Sequence, residues 1–381
     1  MSESFSFDHH TAGRWRYLPA LAFGLILLIG LVVALTSLRA VPSKAWQEMA
    51  VLQRIADGTA SRRFTSELNT HFVWSQPFAK IERAVDWNLA HDSGPSVAAG
   101  CPGWFFLSDE LTVYPGGEQN AAARAYMVAQ VAGLLRQRGI ALLVALVPDK
   151  SRIEAAHLCG VARPARFAPR TRQWLSNLRG NGVEVLDLAT PLTALAGERY
   201  YRSDSHWNEA GANAAAAAIA ARLQALQLVT GQRAVLPTGA VSTIQAERPG
   251  DLMRVANLEG LPAALRPSIE ISAQSKVAAV AVASDDLFGD AGLPTVAVIG
   301  TSYSLRGNFV PFLSQHLAAP VANLAKDGGD FDGAATAYLH SPALQQTPPK
   351  VIVWEVPERM LQHAFSAGEL SWYARLKQGQ L

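Results

Sequence analysis

The chain has little net charge and little cysteine. Its 33 basic and 31 acidic residues nearly cancel to leave +2, and only 17% of its 381 positions are charged. No basic field of the kind that holds nucleic acid is visible, so a nucleic-acid partner is not expected. Two cysteines, Cys101 and Cys159, are too few for a metal cluster or a disulfide-built scaffold. In an oxidising compartment they could pair; as two buried free thiols they would fit equally well. His9, His10, His71, His91, His157, His316, His340 and His363 show no ligand spacing, so neither a zinc site nor any other cofactor is expected. There is no internal repeat, and the only biased stretch is alanine-rich.

What is present in quantity is apolar sequence, 49% of the chain. Tyr17 to Leu38 reads "YLPALAFGLILLIGLVVALTSL", 22 residues without a charge. A helix of that length, at about 1.5 Å per residue, crosses a hydrocarbon layer of roughly 30 Å. A cleaved signal peptide is the rival reading, but the run is long and "TSLRAVPSKAW" is a poor cleavage sequence, which favours an uncleaved anchor. Arg14 and Arg16 before the span are balanced by Arg39 and Lys44 after it. The short head (1–16) and long tail argue that the tail is the exported side. Residues 39–95 read as a membrane-proximal stalk or adaptor, with helical pieces at Ala45–Ile55 and Phe78–Asn88, and 96–381 as the main domain.

Within that domain, helices alternate with apolar strands. Helical stretches are expected at Asn120–Arg138, Arg170–Leu178, Glu209–Leu226, Val310–Leu317 and Gly333–Leu344. Strands are expected at Ile140–Lys150, Val183–Leu188, Thr295–Gly300, Pro320–Ala325 and Lys350–Val356. The pattern predicts an α/β fold with a mostly parallel sheet flanked by helices. Residues 230–290 read as loops and an irregular insertion.

Two polar stretches carry the chemistry. "GTSYS" (Gly300–Ser304) follows a predicted strand, at the sheet end where functional groups collect, and places Ser302 on a tight turn. A serine hydroxyl needs a base to become nucleophilic at neutral pH. "YYRSDSHWN" (Tyr200–Asn208) supplies His206 as that base and Asp204 to orient it. Taken singly, a strand-end serine is usually a helix cap, and an "SDSH" run a solvated turn in which Asp204 caps the next helix. Their joint appearance in one α/β domain favours the catalytic reading.

"GTSYS", "YYRSDSHW", "GWFFLSDE", "VPDK" and "PPKVIVWEVPER" together resemble the alginate O-acetyltransferase AlgJ/AlgX family, over most of Gly103 to Met360. That family carries a domain similar to the SGNH (GDSL-like) hydrolases. The anchor makes the chain similar to AlgJ and to the related subunit of bacterial cellulose-acetylation systems. The resemblance implies Ser302 as nucleophile, with His206 and Asp204 preceding it in the family's permuted order. It implies an O-acetyltransferase acting on an exported polysaccharide through an acetyl-serine. It further implies a membrane-bound O-acyltransferase partner that relays the acetyl group, other subunits of an exopolysaccharide complex, and an inner-membrane, periplasm-facing location. A polysaccharide acetyl-esterase of the same fold and a non-catalytic scaffold are the alternatives. No counterpart of the hydrolases' oxyanion asparagine is clear; the backbone N–H of Ser302 with Gly328 or Gly329 is the candidate hole, and Asn323 a doubtful stand-in.

Further substrate-binding candidates are Tyr200, Tyr201, Trp207 and Tyr303, whose rings could stack on sugars or simply pack the loop. Glu355 and Arg359, beside Trp354 at a strand end, either line the pocket or pair with each other. Lys150 is either a pocket residue or a surface lysine.

Overall fold

The computed structural model describes residues 17–229, 234–235, 241–278, 280–282 and 293–380; the expected head, 1–16, lies outside them. The chain divides into two compact units, 1–85 and 86–381, upstream of the boundary expected at 95/96.

In the first unit the helix Leu18–Ala40 has a mean hydropathy of 2.8 and nearly all its side chains exposed, as length and composition require of a membrane-spanning candidate. It is followed by Ser43–Met49, Leu52–Ala56, Thr59–Thr70 and the start of Ser75–Ala90. Val41, Ala45 and Met49 form a small core with Ala60.

The strands, in chain order, are β1 (Val97–Ala99), β2 (Phe105–Leu107), β3 (Ala141–Val147), β4 (Glu184–Asp187), β5 (Ala234–Val235), β6 (Val241–Arg248), β7 (Glu270–Val277), β8 (Ala281–Val282), β9 (Val296–Ile299), β10 (Val321–Asn323) and β11 (Val351–Pro357). Five of them form a wholly parallel sheet in the order β10-β9-β11-β3-β4. These are the five strands expected from the apolar runs. Their side chains alternate between two cores. Leu142, Val144, Leu146, Ala297, Ile299, Ile352 and Trp354 face helices Gly117–Gln137, Phe167–Gly180, Gly333–Leu339 and Ala367–Lys377. Leu143, Ala145, Val147, Val296, Val298, Val351 and Val353 face the alanine-rich helix Glu209–Ala225 and Phe309–Leu317. Covering both faces takes the Val, Leu, Ile and Trp side chains among these out of water, worth roughly 1.5–3 kcal/mol for each large aliphatic one.

The expected irregular insertion is more ordered than that reading. β6 and β7 form an eight-residue antiparallel ribbon, with the short helix Asp251–Val255 between them. Its strands are polar and largely exposed on both faces, so no alternation marks them in the sequence. Gly250 brings the end of β6 against the chain at Ser203: a Cβ there would stand 1.9 Å from the Ser203 carbonyl oxygen. Cys101 and Cys159 are joined in a disulfide beside the hairpin β1–β2.

Candidate active site

The nucleophile turn is built by β9 and β11. β9 ends at Ile299, and Ser302–Leu305 forms a single 3-10 turn at the carboxyl end of the sheet. Glu355, in the neighbouring strand β11, is buried beneath it and accepts from three donors. These are the Thr301 N–H (2.7 Å), the Thr301 hydroxyl (3.0 Å) and the Ser304 hydroxyl (3.0 Å). Gly300 makes that approach possible, since a Cβ there would lie 2.5 Å from Glu355 Oε2. The residues flanking Ser302 are therefore both held by one carboxylate, which burial pushes above its ordinary pKa despite those hydrogen bonds.

The acid–histidine loop is held from four directions. Lys150, fully buried after β3, donates from Nζ to the carbonyls of Phe105 (2.6 Å), Arg202 (2.8 Å) and Asp204 (2.9 Å). Burial lowers its pKa to about 8, against the pull of Glu110 and Asp204. Glu270 of β7 accepts the Arg202 N–H at 2.8 Å. Asp251 accepts the N–H and hydroxyl of Ser205 at 2.7 and 2.6 Å. From the nucleophile turn, the Tyr303 hydroxyl donates to the Ser205 carbonyl at 2.8 Å, and Arg359 donates to that hydroxyl at 3.3 Å.

These supports bring Asp204, His206 and Ser302 together across a sequence separation of 96 residues. His206 Nε2 lies 2.7 Å from Ser302 Oγ, and His206 Nδ1 lies 2.6 Å from Asp204 Oδ1. Burial would push the Asp204 carboxyl up, but the hydrogen bond and charge of His206, with Arg248 at 3.4 Å, hold it well below the usual carboxylate range. An ionised Asp204 fixes Nδ1 as the protonated nitrogen and leaves the lone pair of Nε2 facing the serine hydroxyl. Asp204 does not cap the following helix; Asn208 does, accepting the Gly211 N–H at 2.9 Å.

Among the described residues the Ser302 N–H has no protein hydrogen-bond partner. Gly329 is not available as a second oxyanion donor, because its N–H is spent on the Lys326 carbonyl at 3.1 Å. Gly328 occupies a left-handed turn position. Asn323 donates to the Ser304 carbonyl at 3.0 Å and so braces the turn.

Several expected pocket residues are interior. Tyr200, Tyr201, Trp207 and Tyr303 are buried, which corrects the expectation that their rings stack on sugar. Tyr200 donates to the Pro148 carbonyl, Trp207 donates to the Arg306 carbonyl, and the Tyr201 ring lies under the Arg248 guanidinium at 3.9 Å. Glu355 and Arg359 do not pair directly in the way expected; each supports the site through a different group. Lys150 is neither a pocket residue nor a surface lysine. "VPDK" and "VPER" close adjacent strands, where Asp149 and Glu358 share the guanidinium groups of Arg163 and Arg170.

What does line the site is an open hollow of about 480 Å³ containing Asp204, His206 and Ser302, with Arg248, Asp251, Arg254, Arg306 and Asp327 around them. The arginines of the ribbon escaped the sequence reading because nothing local distinguishes them from surface charges. A larger hollow, about 670 Å³, lies between Gly117–Gln137 and Phe167–Gly180 and contains none of the three residues, so chemistry rather than size locates the site. Ligand atoms of Asp204, His206 and Asp251 come within 4.8 Å of one another. Asp204 Oδ1 is hydrogen-bonded to His206 Nδ1, and Asp251 Oδ2 to the Ser205 hydroxyl.

The SGNH hydrolase-like domain family of the acetyltransferase AlgX matches residues 97–358. The chain is 32% identical to the "Probable alginate O-acetylase AlgJ" of Pseudomonas aeruginosa over 379 residues, covering 95% of this chain and 94% of that protein. It is 30% identical to the "Alginate biosynthesis protein AlgX" of Pseudomonas putida over 271 residues, 66% of this chain and 54% of that protein. Among solved structures, the O-acetyltransferase domain of Pseudomonas putida AlgJ superposes with a TM-score of 0.64 at 29% identity, covering 75% of this chain and all of that one.

Proposed function

The chain belongs to the SGNH hydrolase-like family of the acetyltransferase AlgX, and on that premise we propose that it is a polysaccharide O-acetyltransferase whose nucleophile is Ser302. The observation that carries the reading is the unbroken hydrogen-bond path from Asp204 through His206 to Ser302 Oγ. His206 Nε2 takes the serine proton as Oγ attacks the acetyl carbonyl of the donor. The N–H of Ser302 faces the developing oxyanion, and the leaving group departs with the proton from His206. A sugar hydroxyl then enters, gives its proton to the same nitrogen and takes the acetyl group, restoring the free serine.

The acceptor is an exported acidic polymer, alginate by analogy with the relatives. Arg248, Arg254 and Arg306 around the hollow suit the carboxylates of such a chain. Acetyl-CoA is cytoplasmic, so a domain held outside by the helix Leu18–Ala40 receives its acetyl group from a membrane-bound O-acyltransferase. On this proposal the protein works in the inner membrane, facing the periplasm, within an exopolysaccharide-modifying complex.

The test is intact-protein mass spectrometry after exposure to a chromogenic acetyl ester. An adduct of roughly 42 daltons on Ser302, discharged onto an oligouronate, is the expected result. Discharge to acetate alone, whatever sugar is offered, marks an esterase instead. Acetylation of the polymer undiminished in Ser302→Ala marks a scaffold.

A further inference from the structure

The first unit contains a helical hairpin that the reading of residues 39–95 as a stalk does not explain. Thr59–Thr70 and Ser75–Ala90 are joined by a tight bend at His71–Trp74. From Leu68 to Ala79 there is no Asp, Glu, Lys or Arg, whereas Arg62, Arg63 and Glu67 lie on one arm and Lys80, Glu82 and Arg83 on the other. The bend carries an aromatic cluster: the Phe78 ring lies 6.3 Å from Phe72 and 6.0 Å from Trp74. Val73, Trp74 and Phe78 nevertheless remain 52, 46 and 49% exposed.

The bend does not project away from the anchor helix but runs beside it. The Val73 N–H donates to Ser37 Oγ at 3.2 Å. Leu68, Phe72 and Phe78 share an apolar groove of about 470 Å³ with Ile26, Ile29, Gly30, Val33 and Ala34. Those last five residues lie in the middle of the helix Leu18–Ala40, about 9 to 21 Å from its carboxyl end at 1.5 Å per residue. Whichever way the helix is oriented, side chains that line a groove with its centre lie at the depth of its centre.

Four polar side chains near the bend are satisfied in the way a hydrocarbon environment demands. Thr36, Ser37 and Thr70 hydroxyls donate to backbone carbonyls one turn back, and His71 Nδ1 contacts the Glu67 carbonyl at 2.9 Å.

We propose that this hairpin is a second membrane element, inserting its uncharged bend, Phe72 to Phe78, into the bilayer that the anchor helix spans, so that lipid acyl chains cover Val73, Trp74 and Phe78. The inference rests on the anchor reading of Leu18–Ala40. Acyl chains are the occupant because the groove and the exposed bend continue the lipid-facing surface of the anchor. The charged arms leave the hydrocarbon where Lys80 and Arg83 meet the headgroups.

The experiment uses the full chain in vesicles of phosphatidylcholine and phosphatidylglycerol. Val73→Cys, Phe78→Cys, Leu28→Cys and Glu82→Cys are each labelled with an environment-sensitive fluorophore and challenged with lipids brominated along the acyl chain. Labels at 73 and 78 are expected to emit in the blue and to be quenched, though less than the deeper label at 28, while the label at 82 is quenched least and emits furthest to the red. Water-like emission at 73 and 78, with the label at 28 quenched, overturns the proposal and leaves the anchor standing. Blue emission at 73 and 78 without quenching shows protein rather than lipid over the bend and also overturns it. An unquenched label at 28 removes the anchor reading and the proposal with it.

Discussion

Glu355 and Thr301 are joined by both the backbone and the side chain of the threonine, 54 residues apart in sequence and one strand apart in the sheet. The carboxylate is acceptor-only, and its three donors flank Ser302. Glu355→Gln replaces one accepting oxygen with an N–H₂ group facing donors, which loosens the turn. The expected result is a fall in kcat of about 10- to 100-fold with KM little changed, as for a displaced but intact nucleophile. Acetyl-ester kinetics check this, with circular dichroism confirming the fold.

Lys150 holds the acid–histidine loop by its backbone. Lys150→Met fills the space but removes the ammonium donor from the carbonyls of Phe105, Arg202 and Asp204, of which Arg202 keeps the Phe105 N–H. A fall in kcat of about tenfold or more is expected. In the unaltered protein, deprotonation near pH 8 leaves two N–H donors for three carbonyls, so its rate should decline above that pH. The pH–rate profile measures both effects: the decline should be absent from the Met variant.

Asp204→Asn keeps the shape of the side chain and removes the charge that fixes the His206 tautomer. Turnover is expected to drop by about 10³- to 10⁴-fold, the loss typical of a neutralised triad acid. Acyl-enzyme formation on Ser302, followed by mass spectrometry in rapid quench, reads it directly.

Glu358 is buried among Arg152, Arg163, Arg170 and Thr171. Burial pushes its carboxyl up, but the arginines outweigh this and hold it at about 2, against an ordinary 4.5. A lowered carboxyl stabilises the fold at pH above 4.5, and that contribution fades as pH falls toward 2. Glu358→Gln removes the carboxylate that Arg152, Arg163 and Arg170 share and should destabilise the fold at neutral pH by on the order of 3 kcal/mol, the loss typical of taking one partner from a buried ion pair. The difference from the unaltered protein should narrow between pH 4.5 and 2. Urea unfolding at stepped pH tests the sign and the window.

The parts of this molecule legible in its sequence are those where one physical demand dominates. Strand β3 is a continuous apolar run and β11 an apolar run broken only by Glu355, because both faces are covered, and Tyr17 to Leu38 is a charge-free run of the length and composition that a membrane-spanning helix needs. The turn after β9 is legible because a strand-end serine and an acid–histidine pair occur together in one α/β domain, where either alone would mean little. The ribbon was not, since its residues satisfy neither a buried face nor a helical period; Arg248 and Asp251 were hidden with it. Lys150 was misread because its partners are carbonyl oxygens, which every residue has and no pattern displays. For the aromatics of "YYRSDSHWN" the sequence leaves sugar stacking and packing both open, because a polar neighbourhood in sequence becomes, for Tyr200 and Trp207, a packed layer in space.

β11 lies at the centre of the sheet yet is the last strand in the chain. A polypeptide threaded amino end first thus presents its acid and base long before it has anything to arm them with, and even the completed serine turn waits for its buttress. Competence arrives only when the closing segment slots between neighbours already in place. A chain without this last strand therefore holds acid, base and serine but lacks the carboxylate that braces the serine turn.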